Sequence, residues 1–253
     1  MHTGLTARYR ITKNISLTGN VSQNSTTSNG SGYGDTSSFS LGTSVLWRYS
    51  VLTELGPGIR YTSSSGYSTS GSDSQLGRTS IGPTLTLNYK PSRKVSLTSQ
   101  VGMDFSKFDS GQSTDPTVSG SLALNYQASR LWGMNLSWSR DTRADYSSPN
   151  AFYTSNSLRL GYHRKIRRAT LNLGVSYLTS SSVVSQGVTG GRPDSNSLSL
   201  DSTFSMPVFA NTCNASVFVR YNEQSGVYSG SYYGGTENSW DSLQMGFSIS
   251  RKF

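Results

Sequence analysis

A two-residue alternation of side-chain character runs along most of this chain of 253 residues. In segments of about ten residues, apolar or aromatic residues occupy every second position, with Ser, Thr, Asn or Gly between them. Residues 39–49 are an example, in which Phe39, Val45 and Trp47 share one parity. Because successive side chains of a β-strand point to opposite faces, the pattern predicts strands with one apolar and one polar face.

The alternation predicts thirteen strands, and helical spacing does not compete with it in any segment. The predicted strands are residues 5–11, 15–21, 39–49, 55–61, 79–89, 95–105, 118–126, 132–138, 152–162, 169–177, 198–206, 213–221 and 243–253. Short turns alternate with longer Ser/Gly/Asp-rich loops. The predicted long loops are residues 24–37, 63–76, 106–116, 140–150, 179–194 and 222–238. This arrangement predicts an all-β fold, an antiparallel up-and-down transmembrane β-barrel with short turns at one end.

Composition bears on two alternatives to a membrane barrel. The hydrophobic fraction is 33%, so the chain does not easily bury a conventional soluble core. Intrinsic disorder also has low hydrophobicity, but 15 Tyr, 9 Phe and 4 Trp at regular spacing argue against it. An extracellular β-sandwich or solenoid adhesin stays open as an alternative. A sandwich would place its aromatic residues at strand centres, and either adhesin would be soluble without detergent.

The positions of the aromatic residues favour a membrane span built from strands. No segment approaches the roughly 18 apolar residues of a membrane helix. Aromatic residues recur about ten residues apart on the apolar parity, which corresponds to about 25 Å, the height of the apolar band of a transmembrane barrel. We therefore predict two aromatic girdles. One contains Tyr9, Tyr49, Tyr89, Tyr126, Trp132, Tyr162 and Phe253, and the other contains Phe39, Tyr61, Phe105, Trp138, Phe152, Tyr177 and Tyr221.

The C-terminal segment, residues 245–253, resembles the closing strand of Gram-negative outer-membrane β-barrel proteins. Those proteins typically end in Phe preceded by apolar residues at every second position. Phe247, Ile249 and Phe253 follow that pattern, whereas Arg251 departs from it. The resemblance implies the bacterial outer membrane, contact with its lipid and lipopolysaccharide, and recognition by the barrel-assembly machinery. In pattern and composition the whole chain resembles β-barrel porins and the outer-membrane barrels encoded beside exopolysaccharide gene clusters.

The predicted number of strands is odd, whereas bacterial single-chain barrels have even numbers of strands. We therefore expect residues 1–253 to form a single transmembrane domain that lacks at least one N-terminal strand and the signal peptide, so that the complete barrel has 14 strands or more. The alternative is that residues 1–11 are not a transmembrane strand.

Residues suited to catalysis or metal binding are few. His2 and His163 are the two histidines, and Cys213 is the single cysteine, so neither an internal disulfide nor a Cys/His metal cluster is expected. His163 lies in a basic turn without an acidic neighbour that could orient its imidazole. No GxxxxGK[ST] phosphate-binding motif occurs. We therefore predict no enzymatic activity, no cofactor and no metal.

The formal net charge of +9 requires an explanation. Nucleic acid is not an expected partner, because the aromatic residues lie on the parity opposite to most of the charge. The basic residues on the polar parity are instead candidates for lining an aqueous lumen, which would then favour anions or acidic sugars. These candidates are Arg8, Arg48, Arg60, Arg78, Lys94, Arg159, Arg168 and Arg220. Several of them fall at turn ends, where a solvated rim explains them equally well.

Two functions follow from the sequence. The first is a porin-like passive channel for small anionic or saccharide solutes, with a link to exopolysaccharide export and polysaccharide as a partner. The second is a structural or adhesive outer-membrane protein with a filled barrel and exposed loops. Conductance in planar bilayers distinguishes them, because a filled barrel carries no stepwise current.

Overall fold

The computed structural model describes residues 2–26, 36–67, 75–108, 116–145, 151–183, 194–208, 213–228 and 236–251. These residues form thirteen strands, one for each predicted segment. The strands are β1 His2–Arg10, β2 Ile15–Thr26, β3 Thr36–Arg48, β4 Thr53–Tyr67, β5 Gln75–Ser92, β6 Val95–Phe108, β7 Thr117–Tyr126, β8 Trp132–Asp145, β9 Ala151–Ile166, β10 Ala169–Val183, β11 Ser195–Val208, β12 Cys213–Tyr228 and β13 Thr236–Arg251. Phe253, the last residue of the predicted assembly signal, lies outside the described residues.

The thirteen strands form one antiparallel sheet in sequence order, from β1 to β13. β1 and β13 are therefore the two edge strands of the described sheet. One end of the sheet carries short connections, and we call it the short-turn end. Its described turns are residues 11–14, 49–52, 93–94, 127–131 and 167–168. In the last of these turns Arg167 adopts a left-handed backbone conformation with φ of 55°, which is typical of the commonest two-residue hairpin turns.

The alternation sets the register of neighbouring strands. Between β9 and β10, the apolar pairs Tyr162–Leu173 and Leu160–Val175 alternate with the polar pairs His163–Asn172 and Arg159–Ser176. A slip of one residue would move every side chain of a strand to the opposite face. The two faces therefore differ in polarity over the segments in which the alternation holds.

Several strands extend beyond the segments that the alternation predicts. β8 continues from Trp138 to Asp145, and β10 continues from Tyr177 to Val183. These extensions carry mostly polar residues, and a backbone hydrogen-bond ladder does not need an apolar face. The predicted loops, such as residues 140–150 and 179–194, were therefore too long. Trp138 and Tyr177 consequently lie in the middle of their strands, whereas the sequence predicted them at the ends.

The sheet is curved, with the polar face inside. Arg60 of β4 donates a hydrogen bond to the hydroxyl of Ser119 in β7, and Arg78 of β5 donates one to the backbone oxygen of Thr142 in β8. Strands three positions apart would be separated by about 14 Å in a flat sheet, at ~4.8 Å per strand. An arginine does not span that distance to a serine, so the strands bend toward the polar face.

Burial is inverted relative to a water-soluble protein. Leu46 is the one buried apolar side chain of the described residues, whereas the buried polar set contains ten residues. That set is Ser16, Arg78, Ser80, Thr84, Asp104, Ser106, Ser119, Thr142, Thr154 and Ser180. On the outer face, Leu85 is 51% exposed and Phe105 is 49% exposed. Such a continuous apolar outer surface is stable against lipid and not against water, which argues against the soluble sandwich.

Within the described residues, no helix combines the length and the apolar character needed to cross a membrane.

Candidate functional site on the inner face

Hydroxyl groups form much of the inner face. Cross-strand pairs of hydroxyls lie within hydrogen-bonding distance between several neighbouring strands. Their Oγ–Oγ or Oγ1–Oγ distances are 2.6 Å for Thr18–Ser44, 2.7 Å for Ser22–Ser40, 2.7 Å for Ser139–Ser157 and 2.7 Å for Ser180–Ser195. Each hydroxyl can both donate and accept, so such a surface hydrogen-bonds readily to water or to sugar hydroxyls.

One ionic group lies on the inner face near the short-turn end. Glu54 of β4 accepts hydrogen bonds from Arg8 of β1 at 2.9 Å and from Arg48 of β3 at 3.0 Å. Arg8 also donates to the hydroxyl of Ser16 at 3.0 Å. The sequence placed Arg8 and Arg48 on the inner face, and the structure brings them together on one carboxylate.

A second ionic group lies farther along the strands and is more deeply buried. Arg60 is 2.7 Å from a carboxylate oxygen of Asp104, whose side chain is 6% exposed. Arg78 donates through Nε and Nη2 to Ser106, at 3.1 and 2.6 Å, and through Nη1 to the backbone oxygen of Thr142 at 2.7 Å. Side chains of β4, β5, β6 and β7 therefore fill the space above this part of the inner face and reach the backbone of β8.

The remaining candidate residues are not brought together. Arg159 is exposed between Ser137 and Ser176 in the register, and it has no ion pair within the described part of the chain. Arg220 lies opposite Asp201. The last two candidates, Lys94 and Arg168, lie in the two-residue turns 93–94 and 167–168, so they occupy the rim of the sheet and not a strand.

Aromatic residues predicted for the girdles contact one another on the outer face. Trp132 packs against Tyr126, with ring centroids 5.7 Å apart, and against Tyr162 at 6.2 Å. Phe39 and Tyr61 pack edge-to-face at 6.5 Å. The other predicted members whose side chains are described are Tyr9, Tyr49, Tyr89, Phe105, Trp138, Tyr177 and Tyr221. Tyr49 follows β3 in the turn and packs against Trp47, which was not assigned to a girdle, at 6.3 Å.

The predicted assembly signal falls on β13. Phe247 and Ile249 point outward and are 63% and 56% exposed. They lie on β13, an edge strand of the described sheet.

Some inner-face residues were missed by the sequence reasoning. Phe218 lies on the polar parity of β12, where its ring occupies the space above Gly246. Lys90 shares the inner parity of β5 with Arg78. Phe218 could have been found by applying the parity of β12 to apolar residues as well as polar ones. Lys90 could have been found by continuing the parity of β5 beyond Tyr89.

Among the described residues, no group of three His, Cys, Asp or Glu side chains is placed to hold a metal ion.

Comparison with known proteins gives matches only among solved structures. No family model matches the chain, and neither does any curated protein. The FrpB iron transporter of Neisseria meningitidis, F5-1 variant in its apoprotein form, is 12% identical with a TM-score of 0.60, over 95% of this chain and 50% of that one. The F3-3 variant is 12% identical with a TM-score of 0.56, over 90% and 48%. The chain thus spans about half the length of these proteins.

This chain has the fold of an outer-membrane β-barrel. The predicted fold class is therefore confirmed. A Pseudomonas aeruginosa FadL homologue also matches, with 12% identity and a TM-score of 0.45 over 98% of this chain and 76% of that one. The apolar outer face and this fold together place the protein in the bacterial outer membrane, as the C-terminal resemblance implied.

Proposed function

We propose that the chain forms the wall of a passive outer-membrane channel that favours small anionic or saccharide solutes. The charge balance of the inner face carries this proposal. Leaving aside residues 143–145 of β8, the inner-face cations of the described strands are by parity Arg8, Arg10, Arg48, Arg60, Arg78, Lys90, Arg159, Lys165 and Arg220, and the inner-face carboxylates are Glu54, Asp104, Asp141 and Asp201. Nine cations against four carboxylates leave an excess of five positive charges.

The arrangement of these charges strengthens the argument. Glu54 is shared by two arginines, and Asp104 is paired with Arg60. Arg159 projects from a strand flanked by hydroxyl residues and stays exposed. In an aqueous lumen with low-dielectric walls, an uncompensated cation of this kind attracts anions and repels cations.

The identity of the solute is a further part of the proposal. The hydroxyl-rich wall suits sugars, and acidic polysaccharide belongs to the proposed solute class, so a role in exopolysaccharide export stays a prediction from the sequence. The FrpB structures are named iron transporters, which supports transport through a barrel of this fold. A channel also requires backbone partners for the edges of β1 and β13, because unpaired edges are unfavourable in lipid. We propose that the additional strands predicted from the sequence supply them.

Planar-bilayer recording tests the proposed channel. The full chain is expected to give stepwise currents, with a reversal potential in a KCl gradient that indicates preference for Cl⁻. Arg159→Gln should reduce that preference. Arg164→Gln removes the same charge from the same strand but on the outer parity, and it should change the preference much less. Absence of stepwise current would refute the channel, and preference for K⁺ would refute anion selectivity.

The filled, surface-displaying barrel is a second candidate because of one observation. Arg78, Asp104, Ser106 and Ser119 are each at most 7% exposed, so part of the inner face is closed to water. If this packing continued around the barrel, no conduit would remain. A folded, heat-resistant protein that gives no current in the same bilayers would favour this second function.

A further inference from the structure

A separate group of cations lies at the short-turn end and takes part in none of the ion pairs described above. Lys90, Arg93 and Lys94 line a cavity of about 470 Å³ together with Asn125, Asn135 and His163. The cavity lining contains no acidic residue. Within the described part of the chain, none of the three cations forms an ion pair. Like charges within five consecutive positions repel, so an anion placed among them would be stabilised.

Backbone hydrogen bonds between neighbouring hairpins hold the walls of this cavity in place. The amide of Gln127 donates to the carbonyl oxygen of Lys94 at 2.7 Å, which links the β7–β8 turn to the β5–β6 turn. The amide of Lys90 donates to the carbonyl oxygen of Leu52 at 2.7 Å. The cations therefore project from turns whose backbones are already held by hydrogen bonds. Ligand binding then loses little conformational entropy from ordering these turns.

Hydrogen bonds and close packing also fix polar side chains of the cavity lining. The side-chain nitrogen of Gln127 donates to the backbone oxygens of Ser129 at 2.5 Å and Trp132 at 3.2 Å, and it lies 3.4 Å from Nε2 of His163. Gly133 makes this approach feasible, because a Cβ there would lie 2.6 Å from Cε1 of His163 and 2.8 Å from Oε1 of Gln127. The lining of the cavity thus combines three cations with amides and an imidazole.

We infer that this cavity, which we call the short-turn basin, binds a small soluble anion that carries a phosphate or carboxylate group. Guanidinium and ammonium groups form charge-assisted hydrogen bonds with such groups. The amides of Asn125 and Asn135 add partners for hydroxyls on the same molecule. The volume falls within the roughly 300–1,000 Å³ of small-molecule sites. This inference deepens the proposed function, since it gives the rim at the short-turn end a specific anion site, and it rests on that function for its role in transport.

Equilibrium binding tests the short-turn basin without depending on any current. Purified full-length protein in a neutral detergent would be titrated by calorimetry with inorganic phosphate, glucose 6-phosphate and glucose at low ionic strength. We expect both phosphates to bind, with affinities that fall as salt rises, and glucose not to bind. Absence of phosphate binding, or equal affinity for glucose, would overturn the inference. If the protein binds phosphate but gives no current, the inference about the short-turn basin stands and only the channel is refuted.

Matched variants locate the binding site. Arg93→Gln and Lys94→Gln should each weaken the binding of glucose 6-phosphate by about tenfold. Arg130→Gln removes the same charge from the neighbouring turn, outside the cavity lining, and should leave the affinity nearly unchanged. Equal losses in all three variants would show attraction to net charge alone and overturn the assignment.

The same titration distinguishes a soluble solute from a lipid. Micelles doped with phosphatidylglycerol or phosphatidylcholine would be compared as competitors for glucose 6-phosphate. Neither lipid should compete if the basin takes a soluble anion. Displacement by phosphatidylglycerol alone would assign the site to an anionic lipid headgroup and overturn the soluble-anion inference.

Discussion

Nη1 of Arg78 lies 2.7 Å from the backbone oxygen of Thr142, although two strands separate β5 from β8 in the sheet. The same guanidinium donates through two other nitrogens to Ser106 of β6. Because one buried side chain joins three strands, this contact fixes the local curvature of the inner face.

Arg78→Met should therefore destabilise the protein. The change leaves the hydroxyl of Ser106 and the carbonyl of Thr142 short of donors in a region where Arg78 is 7% exposed. We expect a loss of about 3 kcal/mol in the free energy of unfolding, the usual scale for breaking a buried charged network. Urea unfolding in lipid vesicles, followed by tryptophan fluorescence, measures it. Arg159→Met, at an exposed position, is the control and should cost much less. Equal costs would contradict the role of Arg78.

The pair formed by Arg60 and Asp104 makes a separate prediction. Asp104→Ala leaves the guanidinium without its carboxylate, and we expect a loss of about 2–4 kcal/mol because the Asp104 side chain is 6% exposed. Adding Arg60→Ala should recover part of that loss, since the unpaired charge is then gone. The same unfolding assay gives the coupling energy of the double-mutant cycle. Strictly additive losses would mean that the two residues act independently.

The face on which each strand residue lies was predictable from the sequence, whereas the contacts of Arg60 and Arg78 were not. Alternation placed Arg60 and Arg78 on the inner face, because the side chains of a strand point to opposite faces in turn. It carries no information about curvature, and the reach from β4 to β7 or from β5 to β8 depends on curvature. The extensions of β8 and β10 were missed for a related reason, since polar residues on both faces leave no hydrophobic period to detect.

The short-turn basin also depends on long-range packing that the sequence pattern does not predict. Lys94 was predicted to line the lumen, and Lys90 and Arg93 lie beside it in the sequence. His163 and Asn135 come from strands whose proximity depends on how the neighbouring hairpins pack. Local spacing predicts a basic turn, but only the packing of the β7–β8 turn against Lys94 closes a cavity around it.

Two inner-face glycines should respond differently to the same substitution. A Cβ at Gly56 would collide with the backbone carbonyl of Val45, whereas a Cβ at Gly174 would meet the carboxylate end of Asp201, which can rotate away. Gly56→Ala should therefore cost about 2 kcal/mol or more, and Gly174→Ala should cost well under 1 kcal/mol. Chemical unfolding of both variants measures the difference. A stable Gly56→Ala protein would mean that β3 and β4 separate easily at this point.

Gly174→Ala should also change ion preference if the channel is open. The displaced Asp201 carboxylate would move from the wall toward the lumen, where a negative charge opposes anions. We expect a smaller preference for Cl⁻ in bilayer recordings, in the same direction as Arg159→Gln. Asp201→Asn in the same background removes that charge and should restore the preference. If the double substitution does not restore it, the displaced carboxylate is not the cause.

Trp47 and Trp240 test which face of the sheet contacts lipid. Their exposed fractions are similar, 58% and 53%, but Trp47 shares the apolar parity of β3 and Trp240 lies on the polar parity of β13. In variants that retain one of the two, with the other tryptophans replaced by Phe, brominated lipids should quench Trp47 strongly and Trp240 weakly. Iodide in the aqueous phase should give the reverse order. Equal quenching of both by bromine would mean that the polar parity also faces acyl chains, which is incompatible with an aqueous inner face.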